Sequence, residues 1–350
     1  MDMETVEKVI QRAAAVQRGE KSPIRTDCFT SYAVSNFRGG IGKSTISFNL
    51  AYELSAREST IVFDLCPQRN MTQSLLGEDL SQFRLSVYDA ILSELTGTGD
   101  VDFEELIVRI SSCNREFHGL KKSYVVPGSQ DLFLFPSLLY SQLAQFNQLR
   151  ERGIQPMAKV LSSIRTIIGE CVKKTSANKV LIDTSPFFGG ATHLAWCAAD
   201  ALIIPVRVDQ HSVEALRLTL DMLTNLSSDF HNFNRQANIT HTPKVYAVVM
   251  THCGWSRQNK NNPDSSTRFF LQKALEIADA HKSAFSENDI SNCFYLLDDF
   301  LSSGRISGKQ RIPLAKLVAG KKFLVDGQRL EVNPSVERYK LEMKNLACSL

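Results

Sequence analysis

Two rhythms of apolar and polar residues alternate along the chain. Short, nearly continuous apolar runs fall at 31–36, 60–65 (TIVFDL), 179–184 (KVLIDT), 201–206 (ALIIPV) and 244–251 (KVYAVVMT). Between them, apolar residues recur at helical spacing, as Ile46, Leu50 and Leu54 do in a helix predicted over about 44–56. Runs without a polar face predict parallel strands covered by helices on both sides and joined as βαβ units. The expected fold class is therefore α/β, a mostly parallel twisted sheet with helices on both faces.

The remaining stretches are read more coarsely. Residues 2–18 place Val6, Val9, Ile10, Ala13, Ala14 and Val16 at helical spacing, which predicts a helix docked on the body. Its apolar side is mostly Ala and Val, a poor match to a membrane-surface helix. Residues 19–30 read as a linker. The stretch 77–178 is irregular, with helical patterns near 86–95 and 138–174. Two short apolar runs, 124–126 and 132–135, flank a Pro-Gly turn. At the end, 322–325 and 329–332 around Asp326-Gly327 predict a β-hairpin, and a last helix is expected over 334–348.

Composition narrows the classes. A chain of 350 residues allows one large or two modest domains at about 100–200 residues each. With 43% apolar and 22% charged residues, wholesale disorder is excluded. Forty Lys and Arg against 37 Asp and Glu give +3, which excludes a uniformly basic chain. The charge is unevenly placed, however. Residues 301–350 carry ten basic and four acidic residues, a local +6 that leaves the first 300 at −3. Eight scattered Cys form no CxxC, so neither a zinc ribbon nor a thioredoxin-like pair is indicated, and the thiols fit a reducing, cytoplasmic setting. The start, MDMETVEK, lacks a signal-peptide layout, and no apolar run approaches the roughly 18 residues of a membrane span.

The candidate chemistry lies in Phe37-Arg38-Gly39-Gly40-Ile41-Gly42-Lys43-Ser44-Thr45, which follows a predicted strand and opens a predicted helix. That is the context of a phosphate loop. Glycines let backbone N–H groups converge on phosphate oxygens, and the helix N-terminus adds its dipole. Lys43 would reach the β- and γ-phosphates, and the Ser44 hydroxyl would ligate Mg²⁺. The standard GxxxxGK[ST] pattern wants Gly at position 37, where this chain has Phe.

Arg38 to Thr45 resembles the deviant Walker A loop of the ParA/MinD superfamily, KGGxGK[ST]. Three further segments agree in order. Asp64-Leu65-Cys66-Pro67-Gln68-Arg69-Asn70-Met71-Thr72 resembles DxDPQGNxT. Val180 to Pro186 resembles the Walker B strand IIIDTPP, and Ala198 to Val206 resembles AADxVIIPV. The resemblance covers about 31–76 and 179–252. It implies a P-loop NTPase that binds ATP and Mg²⁺, forms a homodimer around two nucleotides, and in many members binds DNA non-specifically until a protein partner stimulates hydrolysis. It assigns phosphate binding to Gly39, Gly40, Ile41, Gly42, Lys43, Ser44 and Thr45, metal binding to Ser44 and Asp183, and catalytic roles to Lys43, Arg38, Asp64 and Asp183. The domain boundaries that follow are 1–30 for helix and linker, 31–320 for the nucleotide-binding domain, and 321–350 for hairpin and helix.

Two departures change the expected chemistry. The signature lysine of the superfamily falls at Arg38, whose forked guanidinium suits phosphate contacts made in trans. The second Asp of DxDPQ falls at Cys66. A neutral thiol orients water poorly, which predicts slow ATP hydrolysis, with Asp64 as a partial substitute. Cys66 as a packing thiol is the plainer alternative. Asp209-Gln210-His211-Ser212 is read as a helix cap. Thr251-His252-Cys253-Gly254-Trp255 is read as a base contact implied by the resemblance. The basic tail is either a solvated face or a patch for DNA phosphates. Two functional classes stand open: a DNA- or cargo-positioning ATPase, and a nucleotide-sensing regulatory or defence-complex subunit that binds protein alone. A small-molecule ligase of the same fold is a third.

Overall fold

The computed structural model describes residues 3–20, 25, 29–98, 101–256 and 262–350. The elements in chain order are α1 (Met3–Gln17), β1 (Ser31–Val34), α2 (Lys43–Ser55), β2 (Thr60–Leu65), α3 (Asn70–Leu76), α4 (Val87–Thr96), α5 (Phe103–Leu106), β3 (Val108–Arg109) and β4 (Ser123–Val126). There follow α6 (Phe135–Gln148), α7 (Glu151–Leu161), α8 (Ser163–Thr175), β5 (Lys179–Thr184), α9 (Gly190–Ala198), β6 (Ala201–Arg207), α10 (Gln210–Thr224) and α11 (Asp229–Gln236). The chain ends with β7 (Lys244–Cys253), α12 (Ser265–Ala280), β8 (Phe294–Asp298), α13 (Leu301–Gln310), β9 (Lys322–Val325), β10 (Gln328–Glu331) and α14 (Val336–Ser349).

Eight strands form one sheet in the order β3-β4-β2-β5-β1-β6-β7-β8, parallel throughout except for β3 on β4. The five apolar runs of the sequence are its contiguous centre, β2-β5-β1-β6-β7. Alternate residues feed two cores. Ala33, Ile61, Phe63 and Ile182 face one layer, with α4 and α6 to α12. Tyr32, Val34, Val62 and Leu181 face the other, with α2, α3, α13 and α14. This two-sided burial explains why the runs lack polar positions.

Helix α1 docks as expected, burying Val9 and Ile10, and its Arg12 donates to the carbonyls of Ser291 and Phe294. Most of the 19–30 linker lies outside the described residues. The single helical pattern at 138–174 becomes three helices. The chain turns sharply between α6 and α7, where Arg150 has φ 53°. There, a Cβ on Gly153 would come within 1.8 Å of the Phe146 carbonyl oxygen, so only glycine fits. The run 132–135 is not extended: it spans a 3₁₀ turn (Gln130–Phe133) and the start of α6. Strand β8 has no counterpart in the sequence reading; α1 and α14 both pack against it. No described helix is long and apolar enough to cross a membrane.

One buried acid ties these late elements together. Glu342 of α14 accepts from Gln17 Nε2 at 2.8 Å and from the Asp298 backbone N–H at 2.9 Å. Burial pushes its carboxyl up to about 8 from an ordinary 4.5, outweighing the Gln17 hydrogen bond and the nearby Arg338 charge. The folded chain thus holds a proton that the unfolded chain releases, and stability falls as pH rises from about 4.5 through about 8. At about 1.4 kcal/mol per unit, the effect amounts to several kcal/mol. Thermal melts should show Glu342→Gln removing this part of the pH slope and raising Tm above pH 8; an unchanged slope would assign it to other groups.

Candidate functional site

The site forms where β1 ends and α2 begins, at the carboxyl edge of the sheet. Ser35 donates its N–H to Ile203 O, and Asn36 Nδ2 donates to Pro205 O at 2.6 Å, fixing the exit from β1 against β6. Phe37 does not stand in for a glycine. Its ring stacks on Trp196 of α9 with centroids 5.6 Å apart, and Trp196 Nε1 donates to Ser35 Oγ. The loop then turns through Gly40 and Gly42, the latter at φ 90°, a conformation that disfavours side chains. It delivers Lys43 to the first turn of α2. Lys43 is 7% exposed and donates Nζ to Arg38 O at 2.6 Å. Burial pulls its ammonium down to about 8.

The predicted metal-site residues converge. Asp183 sits near the end of β5 with no exposure. Ser44 Oγ donates to its Oδ2 at 2.9 Å, and Ser47 Oγ donates to its Oδ1 at 2.7 Å. Burial, then the neighbouring Asp64, pushes the Asp183 carboxyl up to about 7 against those hydroxyls and Lys43. Ser47 was not anticipated. Its spacing from Ser44, three residues along one helix face, is the signal that could have found it.

Asp64 and Arg38 are both engaged within the chain. Asp64 pairs in register with Asp183 and is fully buried. Its oxygens already accept from Cys66 N–H, Thr72 N–H and Thr72 Oγ1, at 3.1, 2.8 and 2.7 Å. It anchors the turn after β2 through these bonds. Cys66 is 3% exposed, and burial followed by the Asp64 charge pushes its thiol up to about 12. Arg38 turns to its own chain, pairing with Asp209 and donating to Ser212 Oγ. Asp209 also caps α10 by accepting from Ser212 N–H at 2.9 Å, the role expected for it.

Two open cavities flank the start of α2. One is lined by Gly40, Gly42, Thr45, Thr251, His252 and Phe300. Thr251 Oγ1 also donates to Ile41 O at 3.2 Å. The stretch read as a base contact thus borders the loop, joined by the β8–α13 corner that the sequence reading missed. The other lies between α2, α3 and α13, with Ser44 and Thr45 in its wall.

A glycine loop between a central parallel strand and a helix, with a buried lysine and a Walker B aspartate bonded to the loop serine, defines a P-loop nucleotide site. A family profile for an AAA domain matches residues 30–239. The ParA chromosome-partitioning protein of Myxococcus xanthus is 28% identical over 222 residues, covering 59% of this chain and 66% of that protein. The sporulation initiation inhibitor Soj of Bacillus subtilis is 25% identical over 190 residues, covering 54% and 62%. Among solved structures, apo McdA of Cyanothece aligns with TM-score 0.61 at 16% identity, over 91% of this chain and 99% of that one. A cobyrinic acid a,c-diamide synthase from Mycobacterium smegmatis, solved with ADP and magnesium, aligns with TM-score 0.50 at 19% identity, over 72% and 82%. The chain belongs to the ParA-like family of P-loop ATPases.

Removing the Asp64 carboxylate strands three buried donors. Asp64→Ala should lower the unfolding free energy by about 2–4 kcal/mol in denaturant titrations. A loss below about 0.5 kcal/mol would mean the turn after β2 holds without it.

Proposed function

We propose that this chain is a ParA-like ATP switch. It binds ATP with Mg²⁺, pairs with a second copy around two nucleotides, hydrolyses slowly, and uses the cycle to segregate or position DNA or another cargo, with a protein partner stimulating hydrolysis. The observation that carries this is the joint placement of Lys43, Ser44 and Asp183 at the mouth of the glycine loop. A desolvated ammonium beside a fully buried carboxylate fits a polyphosphate and a divalent cation, each supplying the opposite charge that the interior lacks.

In this reading the backbone N–H groups of Gly39 to Gly42 cradle phosphate, with Ile41 and Thr45 shaping the loop. Lys43 exchanges the Arg38 carbonyl for phosphate oxygen. Ser44 and Asp183 would hold Mg²⁺, which would supply positive charge against the phosphates. Arg38 leaves Asp209 to reach the phosphates of the second copy. Cys66 keeps its proton at neutral pH, so it takes none from the attacking water, and turnover is slow.

Several cations of the basic tail are paired within the fold. Arg305 and Lys309 pair with Asp326, Lys322 with Glu331, Arg338 with Asp298 and Lys340 with Glu337. Arg311 gives its guanidinium to the carbonyls of Leu75 and Cys113. This pairing favours a second reading, a nucleotide-sensing subunit that binds protein without DNA.

Light scattering should show a dimer with ATP and a monomer with ADP or no nucleotide. Salt-sensitive, ATP-dependent binding to random-sequence duplex supports the first reading, and its absence the second. Basal turnover near the ordinary enzyme level of about 10 per second would overturn the slow-switch proposal. Phosphate-release assays on Cys66→Asp should show turnover raised about ten-fold or more; no increase would remove Cys66 as the cause of slowness.

A further inference from the structure

Arg38 is pinned at both ends. Its carbonyl accepts from Lys43 Nζ at 2.6 Å. Its guanidinium pairs with Asp209 and donates to the buried Ser212 Oγ at 3.0 Å. A nucleotide competes for each pin. Phosphate oxygen can replace the carbonyl on Lys43, and phosphate can replace the carboxylate on Arg38, since a guanidinium forks onto either anion. The second exchange takes a cation away from Asp209.

Asp209 is placed to lose that cation at modest cost. Its Oδ1 takes Arg38 and also accepts the Ser212 N–H at 2.9 Å, which caps α10. Its Oδ2 faces a second arginine, Arg207 at the end of β6, with Nε 3.7 Å away. That separation is a charge contact and too long for a hydrogen bond. Arg207 is therefore close enough to tighten its hold when Arg38 departs, and it offsets part of the loss. The side chains of Arg38 and Asp209 are each 29% exposed, so water screens their attraction and the pair can exchange. The cap on α10 is independent of both arginines, because its donor is a backbone N–H.

We propose that Asp209 is a latch that sets how readily the dimer forms. In the single chain it holds Arg38 back. On pairing, Arg38 turns to the phosphates of the second copy, and Arg207 closes on the vacated carboxylate. Asp209 is a positioning residue that acts through Arg38. The inference rests on the nucleotide-gated dimer proposed above and adds what restrains it.

The test measures the dimer dissociation constant by sedimentation velocity, with ATP and Mg²⁺ and without DNA. Asp209→Asn keeps the cap, because Asn caps helices as well as Asp does, but drops the charge that holds Arg38. It should leave Tm nearly unchanged and tighten the dimer about five-fold, the worth of a partly screened ion pair. Asp209→Ala should tighten the dimer in the same direction while lowering Tm through the lost cap, which separates the latch from the structural role. Arg207→Ala should weaken the dimer several-fold, and that effect should vanish in an Asp209→Asn background. An unchanged or weaker dimer in Asp209→Asn, where wild type dimerises, would overturn the latch alone. So would an effect of Arg207→Ala that persists without the Asp209 charge. ATP-dependent dimers in Asp209→Asn but not in wild type would support it, as a latch that holds the single chain closed. Monomers with ATP in both would overturn the dimer reading and the latch with it.

Discussion

Two carboxylates side by side at the end of a parallel sheet, both out of water, are the constraint around which this molecule is arranged. Asp64 and Asp183 occupy the same register on adjacent strands. Like charges so placed repel, and burial disfavours each. The chain answers with short hydroxyl side chains and backbone N–H groups: Thr72 and the Cys66 amide for Asp64, Ser44 and Ser47 for Asp183. Those donors come from the turn after β2 and from the first turns of α2. Satisfying the carboxylates therefore fixes the direction of α2, the position of the glycine loop and the path of the chain into α3.

What could be read from the sequence follows from how far each feature is self-contained. The central strands were legible because burial on both faces removes nearly every polar residue from them. The phosphate loop was legible because its glycines, lysine and hydroxyls are consecutive. Strand β8 was not, since FYLLD is too short to stand out and depends for its cover on α1 and α14, which are remote in sequence. The breaks between α6, α7 and α8 were hidden within an unbroken apolar rhythm; only the close approach at Gly153 explains the first.

The individual side-chain roles show the same limit. Asp64 and Arg38 could be identified as distinctive residues in a known pattern, but their bonds within the chain could not. Their partners, Thr72 and Asp209, lie eight and 171 residues away. The charge of the last fifty residues teaches a similar lesson. The local +6 already subtracts Asp326 but does not say that it sits in a tight turn opposite two of the cations, and it leaves out Asp298, which takes Arg338 from across the fold. Pairing leaves the net charge as the sequence sets it and decides only where on the surface that charge is concentrated.

The stack of Phe37 on Trp196 has a mechanical consequence. Phe188, four residues beyond the Walker B strand, packs edge-on against both rings, and Phe230 of α11 closes on Trp196 and Phe188 from the other side. The root of the glycine loop and the segment leaving Asp183 are thus cast into a single aromatic block. A glycine at position 37 would let the loop swivel alone. With phenylalanine there, the root of the loop shares one packed aromatic cluster with α9 and α11.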